Sequence, residues 1–391
     1  MGSASFVTAP VVLLLSAFLY YRSPLLYTFY YNAPDRLEKV SELGKWEIRF
    51  QDLVRNCEDI YLNDQAGWAL LSCDPGRDEW NTVMGTFVNH VPPPSTGLYL
   101  YKYAEEPQTP PQKLALQRSE ADQPDDFHPL GIEYHAESST LFVANHAHSG
   151  SKVELYKLDV DEGTAVLTDT LEDAKLATPN SIAAISSDEF FVTNDHYFKV
   201  RDNLPLAKFE TYAGLPFGSV AHVKLIDEEA PQITTLARLP FANGITFLND
   251  SSVAVASSTT ASIWIYSFIE ARFLGGTVPS LMLSKKIPLS FVPDNISTDS
   301  NGKLLIAGHP HAPSLEKIAK NNRFCHTAAV DAEKCQLNRL SWVAEWSEET
   351  GVKNLYVGDE YGPSSTATRD VSKKIGFVTG LYERGVLVWN E

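Results

Sequence analysis

Asp294-Asn295-Ile296 is the last of a series of triplets, preceded by Glu58-Asp59-Ile60, Leu130-Gly131-Ile132, Asn180-Ser181-Ile182 and Asn243-Gly244-Ile245. In each, an isoleucine opens a β-like run two residues after a slot that carries a side-chain oxygen in four of the five cases. The isoleucines lie 72, 50, 63 and 51 residues apart, and each is followed by a polar turn and a second apolar run. Similar units at such periods predict a closed array of sheets, an all-β propeller, rather than one large sandwich. The innermost strands of a propeller surround one axis, so equivalent positions from distant parts of the chain converge there. Two carboxylates (Glu58, Asp294) and three carboxamides (Asn180, Asn243, Asn295) on that ring suit a hard, oxygen-seeking cation, above all calcium.

Outward from the triplets, further strands are expected. They cover Leu141 to Asn145 and Val153 to Leu158, Phe190 to Thr193 and Ala221 to Leu225, Val253 to Ala256 and Ile263 to Phe268, and Leu304 to Ala307. A last pair, Ile375 to Thr379 and Val386 to Trp389, gives six units if the final one begins near Ser364. Turn pairs such as Asn249-Asp250 and Asn301-Gly302 sit where tight connections are needed. The propeller is placed at 57–391, after a connector at 32–56 with helical character around Asp35 to Gly44. Pro107 to Asp126, proline-rich and acidic, is expected to be a surface loop. The charged stretch 313–350 reads as an insertion, either a lid over the channel or a surface excursion.

Residues 1–31 differ from everything that follows. Phe6 to Tyr21 is almost uninterrupted apolar sequence, and the aromatic-rich Leu25 to Tyr31 comes just after Arg22. A hydrophobic helix is expected here: a retained signal anchor, with a cleaved signal peptide or an apolar arm packed on the domain as alternatives. Any of the first two routes the protein through the secretory pathway, to a membrane or outside the cell. The four cysteines fit that route. Cys57 and Cys73 flank the turn Asn63 to Gly67 symmetrically, and Cys325 and Cys335 enclose a short loop, so Cys57–Cys73 and Cys325–Cys335 are the expected pairs among three connectivities. Of the two glycosylation sequons, Asn249 lies in a turn and Asn295 in the ligand slot, so Asn249 is the expected acceptor. A net charge of −17 excludes a basic nucleic-acid face.

The chain resembles the paraoxonase/arylesterase family, calcium-dependent lactonases and esterases built as six-bladed propellers. The stretches that carry the resemblance are Leu130-Gly131-Ile132, Val143-Ala144-Asn145-His146, Asn194-Asp195-His196-Tyr197-Phe198, Ala242-Asn243-Gly244-Ile245-Thr246, Asp294-Asn295 and Gly308-His309-Pro310. It implies two calcium ions in a central channel. The ion near the mouth would be held by Glu58, Asn180, Asn243, Asp294 and Asn295, and would polarise the carbonyl of a lactone or ester or the phosphoryl of an organophosphate. The deeper ion would be held by Asp59 and the backbone carbonyl of Ile132. The family's further carboxylate for that ion falls at Ser181, which leaves waters or a neighbour such as His196.

A second departure touches catalysis. The family's Pro-His-Gly-Ile motif reads Pro129-Leu130-Gly131-Ile132 here, so Leu130 stands where the family places a histidine base. The second histidine of the family's dyad is present as His146, and His309 and His128 are the remaining candidates. His196, beside Asp195, Tyr197 and Phe198, is expected to fix the inner architecture. No Gly-x-Ser-x-Gly, His-Glu-x-x-His or Cys-x-x-Cys occurs, which removes serine-nucleophile and zinc readings. Three readings are carried forward. One is a calcium-dependent hydrolase of lactones or aryl esters, with small-molecule substrates and a membrane contact through the N-terminus. The second is a calcium-stabilised propeller that only binds. The third is a metal-free propeller like the strictosidine-synthase relatives.

Overall fold

The computed structural model describes residues 4–89, 91–105, 109–118, 126–227, 229–273, 276–326 and 330–391. Six sheets follow one another along the chain, antiparallel throughout except for the edge strand Ala115–Gln117, which runs parallel to Thr164–Leu171. Their innermost strands are Cys57–Asn63, Pro129–His135, Pro179–Ala184, Ala242–Asn249, Val292–Thr298 and Ser364–Asp370. These six strands touch in order, and the last touches the first, so the sheets close as a six-bladed β-propeller. Every strand pair expected from the sequence is found in its blade.

The triplet pattern has a structural cause. In the second to fifth blades the innermost strand loses register across the two residues before the expected isoleucine, as between Pro129 and Ile132 or Pro293 and Ile296, and in the sixth before Ala367. Two residues there oppose one on the neighbouring strand, the signature of a β-bulge, which bends the strand and re-aims its side chains. The first blade breaks register between Cys57 and Asp59. Slot residues thus leave the ladder, while the third residue packs into the seam against the preceding blade. Ile60, Ile132, Ile182, Ile245 and Ile296 each belong to a different inter-blade cluster, and Ala367 fills the sixth. Each isoleucine so buried stabilises the seam by roughly 1.5–3 kcal/mol.

Two slots contain glycine for steric reasons. A Cβ on Gly131 would collide with the Asn180 carbonyl oxygen, and one on Gly244 would come 2.6 Å from Asn295 Cα. Adjacent inner strands approach too closely at those points for any side chain.

The ring closes with residues from before the first blade. Lys45–Arg49 is the outermost strand of the sixth blade, pairing with Val386–Asn390, and Val40–Ser41 edges the fifth. The segment Asp35 to Gly44 is therefore turn and strand, not helix: its backbone groups satisfy an open sheet edge, which outweighs local helix propensity. The propeller correspondingly begins in the connector. The expected insertion is shorter than 313–350, because Ser341–Ser347, which holds Trp342 to Trp346, and Gly351–Gly358 are strands of the fifth blade. The described residues between include helix α3 (Ala312–Asn321) and a 3₁₀ turn, Asn322–Cys325. The Pro107 to Asp126 stretch falls partly outside the described residues. Its described part supplies edge strands at Gln112–Lys113 and Ala115–Gln117.

The disulfides are Cys57–Cys73, directly opposite each other in the first blade, and Cys325–Cys335. Helix α1 (Ala4–Tyr31) contains Val12–Tyr31, a stretch long and apolar enough to cross a membrane. Residues 12–21 are exposed, but its last turns reach the propeller. Tyr21 Oη donates to the Gly214 carbonyl (3.1 Å), and Asn32 Nδ2 donates to the carbonyls of Ser290 (2.7 Å) and Pro310 (3.1 Å).

Candidate functional site

One end of the channel opens into a cavity of about 140 Å³. An engineered apolar cavity of about 150 Å³ takes benzene, so this one has room for a small lactone or one aromatic ring. Its floor carries Glu58, Asn180, Asn243, Asp294 and His309, and Leu130 stands beside them. Its roof comes from three helices: Leu25 and Phe29 of α1, residues of α2 (Leu204–Ala213), and Ala312, Leu315 and Glu316 of α3. Lys208 on α2 and Glu316 on α3 form an ion pair across the mouth at 3.5 Å.

The bulges deliver the slot side chains to this floor, and each carboxamide is pinned by its nitrogen. Asn243 Nδ2 donates to Asp294 Oδ1 (2.7 Å) and Ser258 Oγ (3.0 Å). Asn295 Nδ2 donates to Glu58 Oε1 (2.8 Å) and Thr366 Oγ1 (3.1 Å), and Asn180 Nδ2 faces Asp195 Oδ2 at 3.4 Å. With the nitrogens occupied, the oxygens are left over. Glu58 Oε2, Asn180 Oδ1, Asn243 Oδ1 and Asn295 Oδ1 are all buried without a hydrogen-bond partner. Orphaned buried oxygens are rare and costly, and four from one ring make a donor set that fits a hard divalent cation. Among the described residues no three His, Cys, Asp or Glu side chains gather in metal-holding fashion, because most of these oxygens belong to carboxamides.

Electrostatics agree with that need. Burial, then the charges of Asp59 and Asp294, push the Glu58 carboxyl well above its ordinary range. Burial likewise raises Asp59 to about 6. The deeper position differs from the mouth. Asp59 Oδ1 accepts from the Ile60 amide (2.8 Å) and lies 3.0 Å from Thr366 Oγ1, while Oδ2 accepts from the Ile132 amide (2.9 Å). Asp59 leaves no orphaned oxygen, so the residues around it do not show the fit that the mouth set shows. Thr366, in the sixth slot, was invisible in sequence because Ser365-Thr366-Ala367 lacks both the carboxylate or carboxamide and the isoleucine. The spacing of the blades was the signal that would have found it.

The histidines separate by position. His309 lines the cavity, donates through Nε2 to Asp294 Oδ2 (3.0 Å), and keeps a buried Nδ1 with no partner. His146 lines a second cavity of about 180 Å³ with Thr82 and Asp195. Its Nε2 donates to the Pro179 carbonyl (2.5 Å) and its Nδ1 accepts from Thr82 Oγ1; burial lowers its pKa and keeps the ring neutral. His196 reaches the main cavity wall, with Nδ1 on Asp195 Oδ1 and Nε2 on Thr211 Oγ1, each at 2.7 Å, so it ties α2 to the third blade. His128 sits against Asp74 Oδ2 at 2.9 Å, below the loop that follows Cys73.

Comparison with known proteins points the same way. The chain is similar to serum paraoxonase/arylesterase 2 of dog (Canis lupus familiaris), 29% identical over 225 residues, covering 54% of this chain and 57% of that protein. Serum paraoxonase/arylesterase 1 of mouse (Mus musculus) is 30% identical over 191 residues, 47% of this chain and 50% of its own length. Serum paraoxonase/arylesterase 2 of rat (Rattus norvegicus) is 28% identical over 270 residues, 66% and 68% respectively. The chain thus spans little more than half the length of the first relatives it matches. The family model described as arylesterase matches residues 87–327, more than half of the sequence, and with a six-bladed propeller around it the chain belongs to the arylesterase family.

Proposed function

We propose that this protein is a calcium-dependent hydrolase of small esters and lactones. The observation that carries the reading is a set of four orphaned oxygens, three of them from residues that line one small cavity (Glu58, Asn180, Asn243) and the fourth from Asn295, which is bonded to Glu58, with His309, whose Nδ1 has no partner, in the same cavity wall. Glu58, Asn180, Asn243, Asp294 and Asn295 would hold the ion. Bound there, it supplies a Lewis acid for the substrate's carbonyl oxygen.

The chain's own groups do the rest. Asp294 accepts the Nε2 proton of His309 and so fixes the tautomer that leaves the Nδ1 lone pair free. His309 Nδ1 takes a proton from the attacking water and returns it to the alkoxide or phenoxide that leaves. Ser258 and Thr366 hold the Asn243 and Asn295 amides so that their oxygens face inward. The apolar walls, Leu130 among them, exclude bulk water and accept the acyl part of the substrate. The apolar helix α1 would anchor the protein at a membrane and the disulfides fit an oxidising compartment.

A second reading, a propeller that binds calcium and ligand without turnover, is favoured by Leu130 in place of a histidine and by His146, whose two nitrogens are already engaged. Purified protein assayed on simple lactones and phenyl acetate, with calcium and with a chelator, separates the two. Hydrolysis that disappears with chelator and returns with calcium is the expected result. Absence of turnover with calcium bound selects the binding propeller.

A further inference from the structure

Arg77 is a charged group in this cavity that the hydrolytic reading does not use and that, unlike Lys208 and Glu316, is not in an ion pair among the described residues. It lies on a short 3₁₀ turn, Pro75–Asp78, and its side chain lines the cavity with Glu58, Asn180 and Asp294. Only 4% of the residue is exposed. One nitrogen, Nη2, donates to the Pro129 carbonyl (3.0 Å), beside Leu130; Nε is buried with no partner. Among the described residues no carboxylate comes within ion-pair distance of the guanidinium. Two carboxylates feel its charge, Glu58 and Asp74. Glu58 is assigned to the cation, and the oxygens of Asp74 take the Gly76 amide (2.8 Å), Thr96 Oγ1 (2.9 Å) and His128 Nδ1 (2.9 Å).

The turn that carries Arg77 is held on both sides. Asp78 accepts from Asn56 Nδ2 (3.0 Å), Asn322 Nδ2 (2.7 Å) and Arg55 Nη1 (2.7 Å), and a Cβ on Gly76 would come 2.9 Å from Asp74 Oδ1 and from Pro93. The guanidinium therefore has little freedom to swing out to water. A buried arginine with an unpaired donor is costly unless an anion completes it, and its planar fork fits a carboxylate through two parallel bonds.

Resting on the hydrolase reading above, we propose that Arg77 is a specificity-determining residue that binds a free carboxylate on the acyl chain. The preferred substrates are then esters or lactones of dicarboxylic acids rather than purely apolar ones. With Glu58 and Asp294 assigned to the cation, Arg77 supplies a second, separate positive anchor, so a dicarboxylic half-ester spans the two while its apolar methylenes lie along Leu130.

The test uses the full chain loaded with calcium. Monophenyl glutarate is compared with its neutral methyl-capped diester, and glutarate with valerate as non-hydrolysed ligands by calorimetry. A charge-assisted pair predicts a KM and a Kd lower by roughly 10–100-fold for the carboxylate-bearing member of each set. Arg77→Met collapses both ratios toward one and Arg77→Lys retains part of them; melting temperatures with and without calcium establish that each variant is folded. Equal KM and Kd within the pairs in the wild type, which needs no variant, overturns the proposal. So does an undiminished preference in folded Arg77→Met. If neither ester is hydrolysed while glutarate still binds better than valerate in an Arg77-dependent way, the recognition role stands and the hydrolase reading falls.

Discussion

A buried histidine serves as base only if one nitrogen is free, and that criterion divides His309 from His146, whose two nitrogens are engaged. Exchange of His309 for Gln is expected to lower the rate by roughly 10²–10⁴-fold, the range for a general base, while the calcium-dependent rise in melting temperature persists. His146→Gln acts differently. It disturbs the bonds to Thr82 and Pro179 and is expected to reduce stability by about 1–3 kcal/mol with a smaller effect on turnover per folded molecule. An equal loss of rate in both variants, at equal stability, would assign proton transfer to a path through His146. A second expectation at this scale concerns pH. In metal-free protein Asp59 is raised to about 6 and burial holds Glu58 well above its ordinary value, against an unfolded value near 4. The folded state then holds more protons than the unfolded state, so the metal-free protein loses stability as pH rises from about 4 through about 6. A cation replaces those protons, and the stabilisation by calcium should therefore be small at pH 4.5 and large at pH 7.5. Thermal melts at the two values, with calcium and with chelator, check the sign.

The triplets were legible in sequence because a bulge repeats in every blade and imposes the same pattern each time: two residues to the axis, one to the seam. Their residue types then announced the chemistry. What escaped was whatever depends on rotamer or on contact between distant segments. The ring of His146 turns toward a side cavity, a choice that Thr82 and Pro179 make from two other parts of the chain. Thr366 lacks the marker residues of its equivalents. The strand Lys45–Arg49 reads as polar connector because an outermost strand buries little and owes its order to Val386–Asn390. At this scale the inner strands give a sharp expectation. Gly131→Ala and Gly244→Ala each force a methyl group against neighbouring backbone and should cost about 1–3 kcal/mol or more, measured by urea unfolding. Wild-type stability in either variant would mean that the inner strands stand farther apart than described.

For the molecule as a whole, closure is the feature on which the site depends, since the mouth ligands come from four separate blades. The N-terminal strands are part of that closure. Removal of residues 1–31 should leave the propeller folded and its cavity more open, because only the roof residues Leu25 and Phe29 are lost. Removal through residue 50 should lower the melting temperature and broaden the transition, because the sixth blade loses an edge strand. Identical melts for the two truncations would count against the closing role of Lys45–Arg49. The same roof places the apolar helix directly beside the cavity.

The catalytic and pH expectations rest on a cation at the five mouth residues, and calorimetric titration of calcium into chelator-stripped protein tests it most directly. Glu58, Asn180, Asn243, Asp294 and Asn295 predict a saturable binding event that raises the melting temperature and is lost or severely weakened in Asn243→Ala. Binding of the same strength in Asn243→Ala, or a wild-type protein that takes up no calcium and melts at the same temperature with and without it, would contradict the site.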